Sequence, residues 1–458
     1  MKHLGVKFVN LLDITQWKLT PYQILVLGFA GLILSGTLLL MLPIAAVAGT
    51  GLPFIDALFT ATSAVCVTGL VVVDTGTYFS LFGQLVIISL IQAGGLGIMA
   101  MSTLMAILIG KKINLRQRLV MQEALNQFTI AGVVRLTQYI IKVTLLIEFI
   151  GGTILAIRWY QDFGLKGIYF GYWHAISSFC NAGFDLLGSV NGKFSSATGY
   201  VDDIAINVVL SLLIILGGIG FTVIADVWTN RRVDRLSLHS KVVLLTTVVL
   251  IVFGSIVIFS LEYNNLTTLG GLSGQGKLLA SCFQSVTART AGFNTVDLSK
   301  FTDATLFFMV LLMFIGASPT STGGGIKTST VGVLAAAIWA LTRGRQDAEL
   351  FKRRIPQSII YKAFSVMLLS AVLVIFVTMM LSITENQPFI NLLFETTSAF
   401  GTVGLTTGIT PTLTVSGKIW IIITMFAGRV GPVTLVLALA LKSRKGNLQY
   451  PEGKLLIG

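Results

Sequence analysis

The chain has 458 residues, of which 54% are hydrophobic and 11% charged, and a mean hydropathy of +0.86. Soluble domains average about 25% charged residues, so a water-soluble enzyme, a disordered regulator and a disulfide-held secreted fold are all excluded. The formal charge of +13 sits in short segments between long apolar runs, which marks an all-α polytopic membrane protein.

Residues 1–20 read as a cytoplasmic tail, without the short apolar core of a secretory signal. Apolar runs at 24–42, 84–109, 136–159, 205–228, 242–261, 305–340, 361–383 and 419–441 predict eight spans. Most of the 32 Lys and Arg fall in five segments. They are Lys2, Lys7 and Lys18; Lys111, Lys112, Arg116, Arg118 and Arg135; Arg231, Arg232, Arg235 and Lys241; Arg343, Arg345, Lys352, Arg353, Arg354 and Lys362; and Lys442, Arg444, Lys445 and Lys454. The other connections carry acids, among them Asp74, Asp185, Asp203, Glu262, Asp297 and Glu385. The positive-inside rule then puts both termini in the cytoplasm, which requires an even number of crossings. Topology alone accounts for the basic clusters, so no nucleic-acid partner is expected. Cys66, Cys180 and Cys282 are far apart and the three histidines do not cluster; neither a disulfide framework nor a bound cofactor is indicated.

Between each odd span and the next lies a shorter segment ending in a small-residue turn. These are 54–70, 172–184, 278–293 and 389–405, closing on Gly69-Leu70, Gly183-Phe184, Gly292-Phe293 and Gly404-Leu405. The four glycines are spaced 114, 109 and 112 residues apart, the signature of an internal repeat. A second small-residue cluster follows each: GGLG at 94–97, GGIG at 217–220, GASP at 316–319 and GRVG at 428–431. The expected architecture is four tandem repeats of span, pore helix and span around a pseudo-fourfold pore. Repeat 1 covers 21–118, repeat 2 119–236, repeat 3 237–354 and repeat 4 355–445, with a cytoplasmic tail at 446–458. The half-spans are too short to cross and read as re-entrant. Non-helical backbone at membrane depth is tolerated only where it is packed in protein or lines water. Four such turns on one axis would form a ring of carbonyls able to replace a cation's hydration shell, with glycine admitting the positive φ this needs.

The sixth span is interrupted by a polar, Gly- and Pro-rich stretch whose counterparts in the other repeats look unbroken: Gly316, Ala317, Ser318, Pro319, Thr320, Ser321, Thr322, Gly323, Gly324 and Gly325, with Lys327 just beyond. A helix does not continue well through it, and its repeat position puts it just cytoplasmic of the carbonyl ring, as a gate. Arg429, in the middle of an apolar span, is expected to face the pore at the same level as an electrostatic barrier. Arg289 reads as a structural brace, paired with Asp56 or Glu395 on a neighbouring half-span. Lys142 and Glu148, six residues apart in the third span, are left open between a subunit contact and the cavity. His174 is expected to be packed or hydrogen-bonded rather than a ligand. An intramembrane enzyme is disfavoured, because HExxH, GxSxG and paired intramembrane aspartates are all missing.

The four-turn pattern, the interruption in repeat 3 and Arg429 in repeat 4 together resemble the Trk/Ktr/HKT superfamily of potassium-translocating proteins, over essentially the whole chain. VTGLVVVDTGT (67–77), NAGF (181–184), RTAGFN (289–294) and SAFGTVGL (398–405) match in order and register. An early first repeat, beginning at Pro21, is most similar to the Ktr membrane-subunit (KtrB) branch. The resemblance implies K+ uptake across the plasma membrane, with the ion filter on Val67, Thr68, Gly69 and Leu70; Asn181, Ala182, Gly183 and Phe184; Thr290, Ala291, Gly292 and Phe293; and Thr402, Val403, Gly404 and Leu405. Glycine at 69, where Na+-permeable members carry serine, favours K+. The resemblance further implies a homodimer on a cytoplasmic nucleotide-binding KtrA-like ring, with Na+ as a coupling or activating ion. A Na+ or mixed-cation pathway is the alternative.

Overall fold

The computed structural model describes residues 20–97, 119, 122 and 133–439. The expected tails, apart from Thr20, lie outside the described residues, as do the basic residues at 111–118 and 442–454 and the ends of the spans expected at 84–109 and 419–441.

The helices are α1 Pro21–Leu40, α2 Phe54–Cys66, α3 Leu81–Leu96, α4 Val133–Phe163, α5 Leu165–Phe179, α6 Ile204–Gly218, α7 Phe221–Asn230, α8 Leu238–Glu262, α9 Gly274–Thr287, α10 Asp303–Phe314, α11 Thr328–Thr342, α12 Gln357–Thr384, α13 Phe389–Gly401, α14 Val415–Val430 and α15 Pro432–Leu439. Single turns of helix punctuate the connections. Among the described residues the only strands are a two-residue hairpin, β1 Glu349–Leu350 antiparallel to β2 Arg353–Arg354. Local chemistry sets the starts. Thr20 and Gln23 form a reciprocal capping box with Pro21 at the first helical position of α1. Ser80, Asp203, Ser237, Ser273, Thr302 and Thr414 each cap the next helix through a side-chain oxygen.

The order long helix, short helix, broken helix recurs along the chain. Among the described residues four helices are long and apolar enough to cross a membrane, within α1, α4, α8 and α12. The pair α6 and α7, bent by 96°, makes a fifth candidate. The long run expected at 305–340 arrives as α10 and α11 around a non-helical 315–327.

One expectation needs correction. The interruption reads in the sequence as peculiar to the third repeat, yet α6 and α14 also break at their glycine clusters, and α3 ends at its own. Gly97, Gly220 and Gly431 sit at φ of 84°, 94° and 91°, and Gly325 closes the 315–327 segment at 67°. A glycine in that conformation ends a helix at little steric cost. What distinguishes the third repeat is the length of the excursion.

The packing is inverted relative to a water-soluble protein. The long helices turn apolar side chains outward, such as Val248, Val249, Val252, Phe253 and Ile256 on α8, each more than half exposed. The short helices α2, α5, α9 and α13 are enclosed, and the buried interior around them is rich in Ser and Thr. Small residues allow that enclosure: a Cβ on Gly171 of α5 would stand 2.6 Å from Ala156 Cα of α4.

Candidate functional site

Each short helix runs into an extended strand whose backbone alternates through positive φ. The helix ends give way to Val67 (φ 54°), Asn181 (58°), Thr290 (76°) and Thr402 (51°), and two residues later come Gly69 (94°), Gly183 (70°), Gly292 (81°) and Gly404 (88°). Positive φ is costly for β-branched residues, so these strands have to be held. The holding is local. Thr68 N donates to Ser63 O at 2.8 Å, Ala182 N to Ser177 O at 2.8 Å, Ala291 N to Thr287 O at 3.0 Å and Val403 N to Ser398 O at 2.8 Å. The same residues use their hydroxyls. Ser63 Oγ and Ser398 Oγ accept from the amides of Gly69 and Gly404, both at 3.1 Å. Ser177 Oγ and Thr287 Oγ1 donate to the carbonyls of Phe184 and Phe293 at 2.7 and 2.6 Å.

Bonds from behind to most of these amides leave carbonyls in front. No described residue donates to the carbonyls of Val67, Thr68 and Gly69 or of their counterparts in the other three strands. The four strands close on one another. A Cβ on Gly69 would stand 2.6 Å from Ala182 O and 3.0 Å from Gly183 Cα. One on Gly183 would stand 2.8 Å from Ala291 O, and one on Gly292 2.7 Å from Val403 O. One on Gly404 would collide with Thr68 O and stand 2.9 Å from Gly69 Cα. The contacts run in a circle, first strand to second to third to fourth and back. Outside this ring lies a cavity of about 400 Å³ bordered by Gly292, Gly404, Asn294 and Thr406.

Residues 315–327 press against the other side of the ring. Ile315 and Ile326 pair as a parallel bridge at the base. Ser318 N donates to Gly218 O at 2.9 Å and Thr322 N to Gly217 O at 3.2 Å, at the broken end of α6. Phe221 N, starting α7, donates to Thr320 O at 3.0 Å. Thr322 Oγ1 donates to Phe179 O at 3.2 Å, and Gly324 N to Thr402 Oγ1 at 2.8 Å, the first residue of the fourth strand. Lys327 Nζ folds back onto Gly323 O at 2.7 Å. Arg429 of α14 donates through Nη1 to Thr322 O and through Nη2 to Gly94 O of α3. One guanidinium thus joins the segment to the broken end of a different helix.

A profile of the TrkH family, described as a cation transport protein, matches residues 13–449. The chain belongs to the TrkH family of cation transport proteins. It is 46% identical to the Ktr system potassium uptake protein B of Bacillus subtilis, over 97% of this chain and 98% of that one. To the potassium/sodium uptake protein NtpJ of Enterococcus hirae it is 42% identical, over 96% of this chain and 98% of that one. The crystal structure of the potassium transporter TrkH from Vibrio parahaemolyticus shares the fold, with a TM-score of 0.73 at 17% identity over 93% of this chain and 86% of that one. With its outward apolar helices, this TrkH-family chain is an integral membrane protein.

Other residues in this TrkH-family chain fall differently from expectation. Arg289 meets neither Asp56 nor Glu395; its Nη2 donates to Thr247 Oγ1 of α8 at 3.3 Å. Lys418 claims Asp56 at 2.6 Å, and Glu395 is taken by Thr406 and Thr410. Lys142 and Glu148 separate. Lys142 is exposed on the outer face of α4, whereas Glu148 is buried and accepts from Gln92 Nε2 at 3.1 Å and Cys180 Sγ at 3.8 Å. His174 accepts from Leu186 N at 3.2 Å through Nε2, and its Nδ1 lies 2.7 Å from Phe170 O. Cys66 and Cys180 are buried, while Cys282 is exposed. Beyond the second strand, burial and then the nearby Asp74 carboxylate push the Asp185 carboxyl up to about 7.

The bracing hydroxyls of Ser63, Ser177, Thr287 and Ser398 were not singled out from sequence. Their signal is a Ser or Thr five or six residues before every ring glycine.

Proposed function

We propose that this chain is the ion-translocating membrane subunit of a K+ uptake system. K+ passes through the carbonyls of Val67–Leu70, Asn181–Phe184, Thr290–Phe293 and Thr402–Leu405, and the 316–325 segment with Lys327 and Arg429 closes the path beneath them. The observation that carries this reading is the closed circle of four glycine strands, each braced by its own helix, in which the carbonyls of the first three residues of every strand have no donor among the described residues. Such carbonyls can stand in for a cation's water shell. Relatives named for potassium uptake, aligned end to end at over 40% identity, support K+ as the cargo.

The same reading takes the recurring helix order as four repeats with the boundaries given above, comprising eight spans and four re-entrant pore helices. It puts the chain in the plasma membrane with both termini in the cytoplasm. Regulation falls to a separate KtrA-like ring under a homodimer, a reading supported by relatives named as parts of a Ktr system. Na+ enters as a coupling or activating ion. A mixed K+/Na+ pathway is the second reading, favoured by the name of the Enterococcus hirae relative.

Growth of a K+-uptake-deficient bacterium at low K+, with and without a Ktr regulatory subunit, tests the proposal. Rescue is expected with the wild-type chain. Failure to rescue in both conditions, with the protein present in the membrane, overturns it. Pull-down with a Ktr-type ring, before and after neutralising Arg343, Arg345, Arg353 and Arg354, tests the partner. A ring that never binds the wild type removes that part.

A further inference from the structure

Counting back three residues from each bracing hydroxyl reaches Thr60, His174, Gln284 and Glu395, four buried positions on the four short helices. These positions do different work. Thr60 Oγ1 bonds within its own helix, to Asp56 O at 2.8 Å. Gln284 is fully buried, and neither of its amide atoms has a partner. His174 and Glu395 instead reach the chain beyond the ring. His174 Nε2 takes the amide of Leu186. Glu395 accepts from Thr406 Oγ1 at 2.8 Å with one oxygen and from Thr410 Oγ1 with the other. Thr406 Oγ1 in turn accepts from Gly408 N at 3.0 Å. The segment so held, from Thr406 to Pro411, forms a wall of the outer cavity next to Gly404.

Resting on the filter reading above, we propose that Glu395 is a positioning residue for cation selection: its carboxyl fixes the chain just outside the fourth strand, and so the spacing of the Thr402–Gly404 carbonyls. The argument is one of stiffness. Two hydroxyls converge on the one buried carboxyl, and no other side chain ties Thr406 to its own short helix among the described residues. A ring that discriminates cations by carbonyl spacing is only as selective as its loosest strand. Because the strands contact in cyclic order, the second and fourth lie opposite one another, and they are the two with such tethers. His174 and Glu395 therefore clamp the outer mouth from facing sides, whereas beyond the third strand Asn294 is held instead by Ser196 and Ala197 of a neighbouring loop.

The test uses the full chain in membranes, with Glu395→Ala, Glu395→Gln, Thr406→Val and, as the control for the filter itself, Gly404→Ser. Concentration dependence of K+ uptake and its inhibition by Na+ are measured for each. Glu395→Ala, which loses the bonds to both Thr406 and Thr410, is expected to raise KM for K+ about tenfold, and Thr406→Val, which loses one of them, severalfold, with Vmax within about twofold in each. Na+ inhibition should strengthen in parallel. Glu395→Gln should recover most of the KM, since its amide oxygen still accepts a hydroxyl. If Glu395→Ala fails to reach the membrane, Thr406→Val, which removes only a hydroxyl, decides alone. Unchanged KM and Na+ inhibition, or a fall in Vmax alone, overturns the tether while a defective Gly404→Ser keeps the filter. If Gly404→Ser also behaves as wild type, the filter reading has failed first.

Discussion

The strands that form the ring and the segment that lies beneath it are both irregular backbone, yet they are held in opposite ways. Every ring strand is fastened to the helix it grows from, by bonds five to seven residues long, such as Thr68 N to Ser63 O and Ser177 Oγ to Phe184 O. The 315–327 segment is fastened to elements far away in sequence: α6 and α7 about 100 residues earlier, Thr402 nearly 80 later, Arg429 just over 100 later. Local bonding makes each strand rigid as part of its own helix. Remote bonding, part backbone and part side chain, ties the segment to helices that can shift relative to it, so that movement of one neighbour would withdraw several anchors together. On the proposed function, a few kcal/mol of bias from a partner would suffice to move such a segment.

The comparison breaks most sharply at the ring. Gly69→Ser or Gly404→Ser adds positive-φ strain and a collision with the neighbouring strand. KM for K+ is expected to rise roughly a hundredfold, with discrimination against Na+ lost, as read from paired K+ and Na+ uptake curves. Gly97→Ser sharpens the point: its φ of 84° is similar, but nothing lies within 4 Å of an added Cβ. It should cost far less.

Next in size comes the segment itself. Deleting part of 318–325 should raise K+ flux about tenfold in liposomes without a partner, a closed state disfavoured by little more than 1 kcal/mol. A deletion protein that folds yet conducts like wild type would make the segment a kink and not a gate. Arg429→Ala removes one anchor and a positive charge, but leaves the bonds to Gly217, Gly218 and Thr402. Its effect should be in the same direction and severalfold smaller, measured by the same flux.

The smallest effect concerns the outer face. Asp185 holds its proton more tightly folded than unfolded, since burial and Asp74 raise its carboxyl from 3.8 to about 7. The stability it lends is therefore complete below about pH 4 and declines as pH rises through 7. Thermal unfolding in detergent at pH 5 and pH 8 should differ less in Asp185→Asn than in wild type, by about 2 °C.

How much of this was legible in the sequence depends on whether a structural demand leaves a residue signature. The ring glycines were visible because positive φ at a crowded approach admits almost nothing else, four times at one spacing. The positive φ of Val67 and Thr402, residues that the resemblance placed in the filter, left no such mark, because their conformation is enforced by neighbours. The bracing hydroxyls were hidden among many others: Thr60 and Ser281 only bond within their own helices. Anchors supplied by Gly94, Gly217 and Gly218 are backbone carbonyls and carry no side-chain mark. Arg289 was assigned a wrong partner because charge matching cannot see that Lys418 already holds Asp56 from 362 residues away. Lys142 and Glu148 could have been separated, since six residues at 100° each put them about 120° apart on the helix.

The circular contact of the four glycines has a consequence for how the molecule comes into being. Each strand leans on the next, so three quarters of the chain does not make three quarters of a ring. The last strand to be synthesised closes against the first, and Arg429 then reaches back to Gly94 across 335 residues. Until that final contact, the first strand lacks the neighbour that closes the circle. The circle is therefore complete only once the fourth strand has been made. A chain cut short after its third glycine strand would be inserted, helical and inert.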